Sequence, residues 1–222
     1  MKFNPVVVDK LNPVIVDLSH FDDVQDWGAM KAFGILGVIN KATEGPSMID
    51  KTYATRRTAA LDHDILYGAY HLLRPGNPVA QADHFLDVAL NVAKPGELLL
   101  ALDHEDAEVP LDDAKQWLQH VFDRTGRRAV LYSGCLIKQQ LGDSLDPFLR
   151  QHRLWLSHVS SRPQCPKNWT TPWIIQFTRD GQGPEPHQVP GVDISTGIDL
   201  NHYGGTLAQL RAEWSSELTL AA

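Results

Sequence analysis

The sequence predicts a single barrel-like α/β domain, and three observations carry that reading. Short β-rich runs alternate with helical stretches along the whole chain, the pattern of repeated βα units. The length of 222 residues suits one barrel of this kind. No Gly/Ser- or Pro-rich linker divides the chain.

The first strand is Val14-Ile15-Val16-Asp17-Leu18, an apolar run with a carboxylate near its end. Asp26 to Phe33 reads as a short helix stopped by Gly34. Ile35 to Asn40 is the second strand, followed by the turn-rich Thr43-Glu44-Gly45-Pro46. A helix over Lys51–Leu61 leads to the third strand, Ile65–Tyr70. Val79–Val92 is helical, opening after Pro78, and Leu98–Asp103 is the most apolar strand of all. Asp112–Arg124 is the next helix, with Asp112 and Asp113 suiting its positive end. Strands at Ala129–Tyr132, Leu154–Leu156, Trp173–Phe177 and Ile194–Leu200 complete the set, and a helix over Thr206–Trp214 closes it. The domain spans 14–214, with an N-terminal extension at 1–13 and a tail at 215–222. Asn4-Pro5-Val6-Val7-Val8-Asp9 echoes Asn12-Pro13-Val14-Ile15-Val16-Asp17, a single short repeat.

Charge and hydropathy narrow the function. Lys plus Arg number 20 against 27 Asp plus Glu, a net −7, and the pI is near 5.7. That balance argues against a nucleic-acid binder, which needs a basic face to neutralise phosphates. No apolar run approaches the roughly 20 residues of a membrane span, so membrane insertion is not expected. The start, Met1-Lys2-Phe3-Asn4-Pro5, lacks the apolar core and cleavage site of a secretion signal. Synthesis in the cytoplasm follows, and Cys135 and Cys165 read as free thiols.

In such a barrel, chemistry collects where strands end and βα loops begin. Asp17 ends the first strand, Asp103 ends the fourth, and Asp199 lies in the last. Alternate residues of an extended chain face the same way, so Glu105 shares a face with Asp103 while His104 points elsewhere. A single Asp at a strand end is most often a turn former or helix cap. Four acids closing apolar strands are another matter. Crowded into one partly dry mouth, they cannot all ionise, and at least one keeps its proton near neutral pH. A protonated acid beside an ionised one is what glycosidic-bond cleavage requires.

The motifs around these acids resemble the glycoside hydrolase family 25 lysozymes, the N-acetylmuramidases of bacteria, fungi and phages. They are Val16-Asp17-Leu18-Ser19-His20 with Asp26-Trp27, Asn40-Lys41-Ala42-Thr43-Glu44-Gly45, and Gly68-Ala69-Tyr70-His71 with Arg74-Pro75. Leu102-Asp103-His104-Glu105, Leu131-Tyr132-Ser133, Leu154-Trp155, Gln176-Phe177-Thr178 and Ile198-Asp199-Leu200-Asn201 follow in the family's order. The resemblance implies a flattened, irregular (β/α) TIM-like barrel. It also implies hydrolysis of the β-1,4 bond between N-acetylmuramic acid and N-acetylglucosamine in peptidoglycan, with retention. Glu105 is then the general acid, and Asp103 supports an intermediate formed with the substrate's own acetamido group; a covalent glycosyl-enzyme is the alternative, and both routes retain configuration. Asp17 and Asp199 complete the acidic cluster. Neither cofactor nor metal is implied, and the partners are glycan strands met by a monomer. A phage lysin or an effector delivered by a secretion machine fits that activity. Three positions depart from the family pattern. Phe21-Asp22-Asp23 stands where a Gln is common, Ile175-Gln176-Phe177 replaces Trp-Gln-Tyr, and Ser157-His158-Val159 lacks a customary aromatic.

Sugar recognition needs flat aromatic faces and orienting polar groups. Tyr70 and Tyr132, at the ends of the third and fifth strands, are expected at the groove, Tyr70 as a wet, reachable phenol. Trp173 and Gln176 are further candidates, although an odd spacing turns them opposite ways in a regular strand. Trp27 and Trp155 suit the core as well as the site. Lys41 and Glu44 suit an ion pair bracing the second loop, and Arg74 suits either an anionic glycan group or support of the cluster. His20, His71 and His104 near strand ends would allow a metal site of two imidazoles and a carboxylate, but no His-x-x-x-His spacing appears. Two other functions are compatible with an acidic barrel mouth: a non-catalytic glycan-binding module and a metal-dependent phosphodiesterase.

Overall fold

The structure is a computed structural model that describes residues 4–5, 12–94, 97–160, 162–193 and 196–216. Eight strands form a closed barrel: β1 (Pro13–Leu18), β2 (Gly37–Glu44), β3 (Leu66–Leu72), β4 (Leu99–Asp103), β5 (Val130–Ser133), β6 (Leu154–Ser157), β7 (Ile174–Gln176) and β8 (Asp199–Tyr203). They pair in the order β1-β8-β7-β6-β5-β4-β3-β2, and a parallel pairing of β1 with β2 closes the ring. Seven strands run parallel, and β8 is antiparallel to both neighbours.

Five helices lie between strands: α1 (Trp27–Phe33), α2 (Tyr53–Asp62), α3 (Pro78–Ala89), α4 (Leu111–Thr125) and α5 (Cys135–Leu141). A sixth, α6 (Leu207–Trp214), follows β8. Their ends carry the expected chemistry. The Asp26 side chain accepts from the Ala29 N–H at 2.9 Å, and Gly34 ends α1 with φ 118°. Asn77 caps α3 with Pro78 in its first turn, and Thr206 and Gln209 form a capping box on α6.

Among the described residues no helix lies between β6 and β7 or between β7 and β8, so the barrel is covered unevenly. Small antiparallel pairs brace the long loops, joining Asp23–Val24 to Val192–Asp193 and Asn4–Pro5 to Gln164–Cys165.

Strand alternation sorts the core into two layers. Val16, Val38, Ala69, Leu100, Leu102, Leu131 and Leu156 point outward and pack against the helices. Ile15, Ile39, Tyr70, Leu99, Ala101, Val130, Tyr132, Trp155 and Ile174 fill the lumen. Burial on both faces is why these strands are apolar almost throughout. At the N-terminal end of the parallel strands, α6 drives Trp214 beneath the barrel. Its indole N–H donates to the Tyr67 carbonyl at 2.8 Å. A Cβ on Gly37 would stand 2.7 Å from that ring, so only glycine fits there.

The architecture expected from the sequence is present, with three differences. The last strand begins at Asp199 rather than ending near it. Asp199 reaches the same mouth as Asp17 because β8 runs the other way, and the two are register partners. Ile194, part of the expected strand, lies outside the described residues, as do most of the 1–13 extension and residues 217–222 of the tail. Helix α5 was not expected.

Candidate active site

The lumen-facing alternation that is apolar at the bottom turns polar at the mouth. Asp17 follows Ile15, Lys41 follows Ile39, Asp103 follows Ala101, Gln176 follows Ile174, and Asn201 and Asp199 precede Tyr203 in reverse. The period of two that builds the core therefore also delivers the polar groups.

Gln176 and Asn201, register partners, organise the centre. The Gln176 amide donates to both Asp17 oxygens at 3.2 and 3.1 Å and to Asp199 Oδ2 at 3.2 Å. Its own oxygen accepts from the Tyr132 hydroxyl at 2.8 Å and from Ser157 Oγ at 2.9 Å. Asn201 donates to Asp17 Oδ2 at 2.8 Å and accepts from the Trp155 indole at 2.6 Å. These two amides hold the Asp17–Asp199 pair in place.

Burial governs protonation here. Desolvation raises Asp17 to about 7, against the donated hydrogen bonds of Asn201 and Gln176. Asp199 is pushed up to about 9 by desolvation and then by the negative field of Asp17. Asp103 is held well above the carboxylate range by desolvation, with repulsion from Glu105 and Asp17 added. Its buried Oδ1 has no hydrogen-bond partner within the protein. Glu105 is placed differently: its side chain is 44% exposed, and the Arg179 guanidinium approaches no closer than 3.9 Å.

Two cavities open over this cluster. One, of about 390 Å³, is lined by Glu105, Cys135, Ser157, His158, Val159 and Arg179, among others. The other, of about 350 Å³, is lined by Asp17, Phe21, Asp22, Tyr70, Asp180 and Asp199, among others. The four acids expected to act together thus gather at one mouth, with space on both sides for an extended chain.

The expected sugar contacts divide. Tyr70 lines the second cavity but is only 9% exposed, because β3 continues to Leu72 and leaves it inside the strand. It is not the wet terminal phenol anticipated. Tyr132 is buried with its hydroxyl on Gln176, so it supports the acids rather than offering an open face. Gln176 belongs to the cluster, as expected, but as its organiser. Trp173 is elsewhere: it precedes β7 at the opposite end of the barrel, donates to Glu213 Oε2 at 2.7 Å and packs on Tyr203 and Trp214. It is removed from the candidate sugar contacts. Arg74 stands at the rim, ion-paired to Glu44 at 2.7 Å and Asp106 at 2.9 Å. Lys41 and Glu44 form the anticipated pair at 2.8 Å.

The histidines considered for a metal do not converge. His20 bonds Asp50, His71 lies between Thr43 and Gln81, and His104 bonds Gln140. Among the described residues no group of three potential ligands is assembled.

Two lining residues were absent from the expected set. Phe21, 79% exposed at the second cavity, is a flat apolar face offered to solvent. Arg179 projects from a two-residue turn whose Asp180-Gly181 sequence is a turn signal readable in the chain.

Comparison with known proteins bears on the family and the fold. The profile of the glycosyl hydrolases family 25 matches residues 16–185. Lysozyme M1 of Streptomyces globisporus is 26% identical over 212 residues, covering 89% of this chain and 69% of its own. The bacterial lysozyme of Streptomyces coelicolor superposes with a TM-score of 0.77 at 24% identity, covering 91% of this chain and 97% of that one. A family GH25 lysozyme from Aspergillus fumigatus gives 0.74 at 24% identity, with 90% and 98% covered. At that identity the superpositions bear on the fold; the family rests on the profile.

Proposed function

The chain belongs to glycosyl hydrolase family 25, and from that premise we propose how its mouth carries out the cleavage. It is a glycoside hydrolase of the lysozyme (muramidase) kind, acting on peptidoglycan. The bond we assign is the β-1,4 link from N-acetylmuramic acid to N-acetylglucosamine, cleaved with retention by a monomer.

Glu105 is the general acid. It lines the larger cavity, reachable by a glycosidic oxygen, whereas Asp17, Asp103 and Asp199 lie deeper. Its proton passes to the departing oxygen as the anomeric C–O bond breaks. The substrate's acetamido oxygen closes on the anomeric carbon from the opposite face, giving a bicyclic intermediate. Water then attacks that carbon and yields its proton to Glu105, so two inversions give net retention.

Asp103 is suited to the acetamido N–H, since its buried Oδ1 has no protein donor. The arriving N–H favours the ionised carboxyl, which then offsets positive charge on the intermediate. Asp17 and Asp199, bridged by Gln176, line the neighbouring cavity and suit hydroxyl groups of the adjoining sugar.

The observation that carries this reading is the coexistence of an exposed Glu105 with three burial-perturbed aspartates at one barrel mouth. Purified protein incubated with cell walls should release new reducing ends. No release from an intact fold would defeat the reading. A peptidoglycan substrate puts the reaction at the cell wall, and we propose delivery as a phage lysin or a secreted effector.

A further inference from the structure

Arg179 takes no part in the cleavage steps. It follows β7 by three residues and opens a tight turn, with its carbonyl accepting from the Gln182 N–H at 2.8 Å. Asp180 and Gly181 take φ of 50° and 72°, a turn in which both central residues are left-handed. The Asp180 N–H donates to Asp199 Oδ1 at 3.3 Å, tying the turn to the acid pair. A Cβ on Gly181 would meet the Thr196 carbonyl at 2.5 Å. The backbone under Arg179 is therefore fixed relative to the acids.

The charge distribution gives this side chain its significance. Among the described residues lining the two cavities, Arg179 is the one Lys or Arg. The other cations at the mouth are committed: Lys41 to Glu44, and Arg74 to Glu44 and Asp106. Arg179 is about half exposed; its guanidinium meets the Tyr132 hydroxyl, and its carboxylate contact is the long 3.9 Å approach to Glu105. A planar guanidinium beside the scissile position, without a close carboxylate, is a preformed seat for a substrate carboxylate. Burial holds Asp17, Asp103 and Asp199 toward their neutral forms, which lowers the repulsion an incoming anion would meet.

We propose that Arg179 is a specificity-determining residue that binds a carboxylate of the glycan strand in the cavity beside Glu105. The inference rests on the peptidoglycan reading, whose strands carry that group in two places: the lactyl ether of muramic acid once the peptide is removed, and the stem peptide when it is present. A plain N-acetylglucosamine polymer has neither.

Three substrates separate the cases: peptide-free strands with free lactyl carboxylates, peptide-bearing strands, and peptide-free strands whose carboxyls have been reduced to alcohols. The wild-type protein should cleave carboxylate-bearing strands with higher kcat/KM than the reduced ones. Arg179→Gln should lower that ratio by roughly 10–100-fold, the worth of a charge-assisted hydrogen bond, and Arg179→Lys should restore part of it. A larger fall with peptide-free strands assigns the lactyl group; a larger fall with peptide-bearing strands assigns the stem. Equal loss on carboxylated and reduced strands would overturn the proposal. Calorimetric affinities measured in a Glu105→Gln background take turnover out of the question. There, a carboxylate preference that survives Arg179→Gln refutes the inference whether or not the protein hydrolyses glycan, while absence of cleavage by the wild-type protein refutes only the reading beneath it.

Discussion

The two ends of the barrel are built by the same strands and differ in what becomes of a carboxylate. At the bottom, Glu213 Oε2 accepts from the Trp173 indole at 2.7 Å and from the Tyr203 hydroxyl at 2.8 Å. Its neighbours Trp214, Trp173 and Tyr203 interlock around it. At the mouth, Asp103 is buried with one oxygen unpartnered, and Asp199 faces Asp17 across a register pair. The donors that satisfy Glu213, which lines neither mouth cavity, make it part of the scaffold. A carboxylate buried without them costs stability and is available to substrate.

Changes at the two ends should therefore separate activity from stability. The largest expected effect is at the mouth: Glu105→Gln should cost 10²–10⁴-fold in glycan turnover with an unchanged melting temperature. At the bottom, Trp214→Ala should cost about 3–5 kcal/mol of stability in denaturant titration, while the folded fraction keeps its kcat. A loss of kcat there would mean that the ends are coupled. Smaller and sharper is the paired carboxyl test. Glu213→Leu removes the acceptor that the Trp173 indole and the Tyr203 hydroxyl share and should destabilise by about 1–3 kcal/mol. Asp103→Asn removes none and should leave stability equal or higher while lowering turnover.

The acid pair makes a further difference measurable as pH dependence. Asp17 at about 7 and Asp199 at about 9 lie above the ordinary carboxylate value of 3.8. The folded state holds protons that the unfolded chain releases, so stability is fully present below about pH 4 and is lost as pH rises through 7 to 9. Melting temperature should fall between pH 5 and pH 8, and Asp17→Asn should shrink that fall. An unchanged slope in the variant would contradict the assignment. The smallest effect belongs to Phe21→Ala, expected to raise KM about two- to tenfold through a lost sugar-facing ring, with stability unaltered.

Much of this contrast was legible in the chain. Parity alone brought Asp103 and Glu105 to one face, and the apolar runs located seven of the eight strands; the last was expected over Ile194–Leu200 and runs from Asp199 to Tyr203. The antiparallel course of β8 was not legible, because no local signal states which way a strand enters a sheet. Asp199 was nonetheless found, since the mouth is reached by the start of that strand as well as by the ends of the others. Tyr70 was misjudged as a terminal residue because strand ends are the weakest feature of a sequence pattern, and β3 runs two residues further. Trp173 failed for a reason the spacing already held: three residues from Gln176, it sits at the other end of a short strand. The roles of Gln176 and Asn201 as a scaffold for acids come from pairing across strands, which the linear order conceals. Arg179 carried a signal in Asp180-Gly181, but a turn announces its own geometry and not what its flanking side chain faces.

If Glu105 supplies the proton to the departing oxygen, its loss must matter in proportion to how much the leaving group needs that proton. Turnover of wild-type protein and Glu105→Gln should be measured on peptidoglycan strands and on an aryl glycoside whose phenolate departs without protonation. A 10²–10⁴-fold loss on the strands and little loss in cleavage of the aryl glycoside are expected. An equal loss on both substrates would contradict that role.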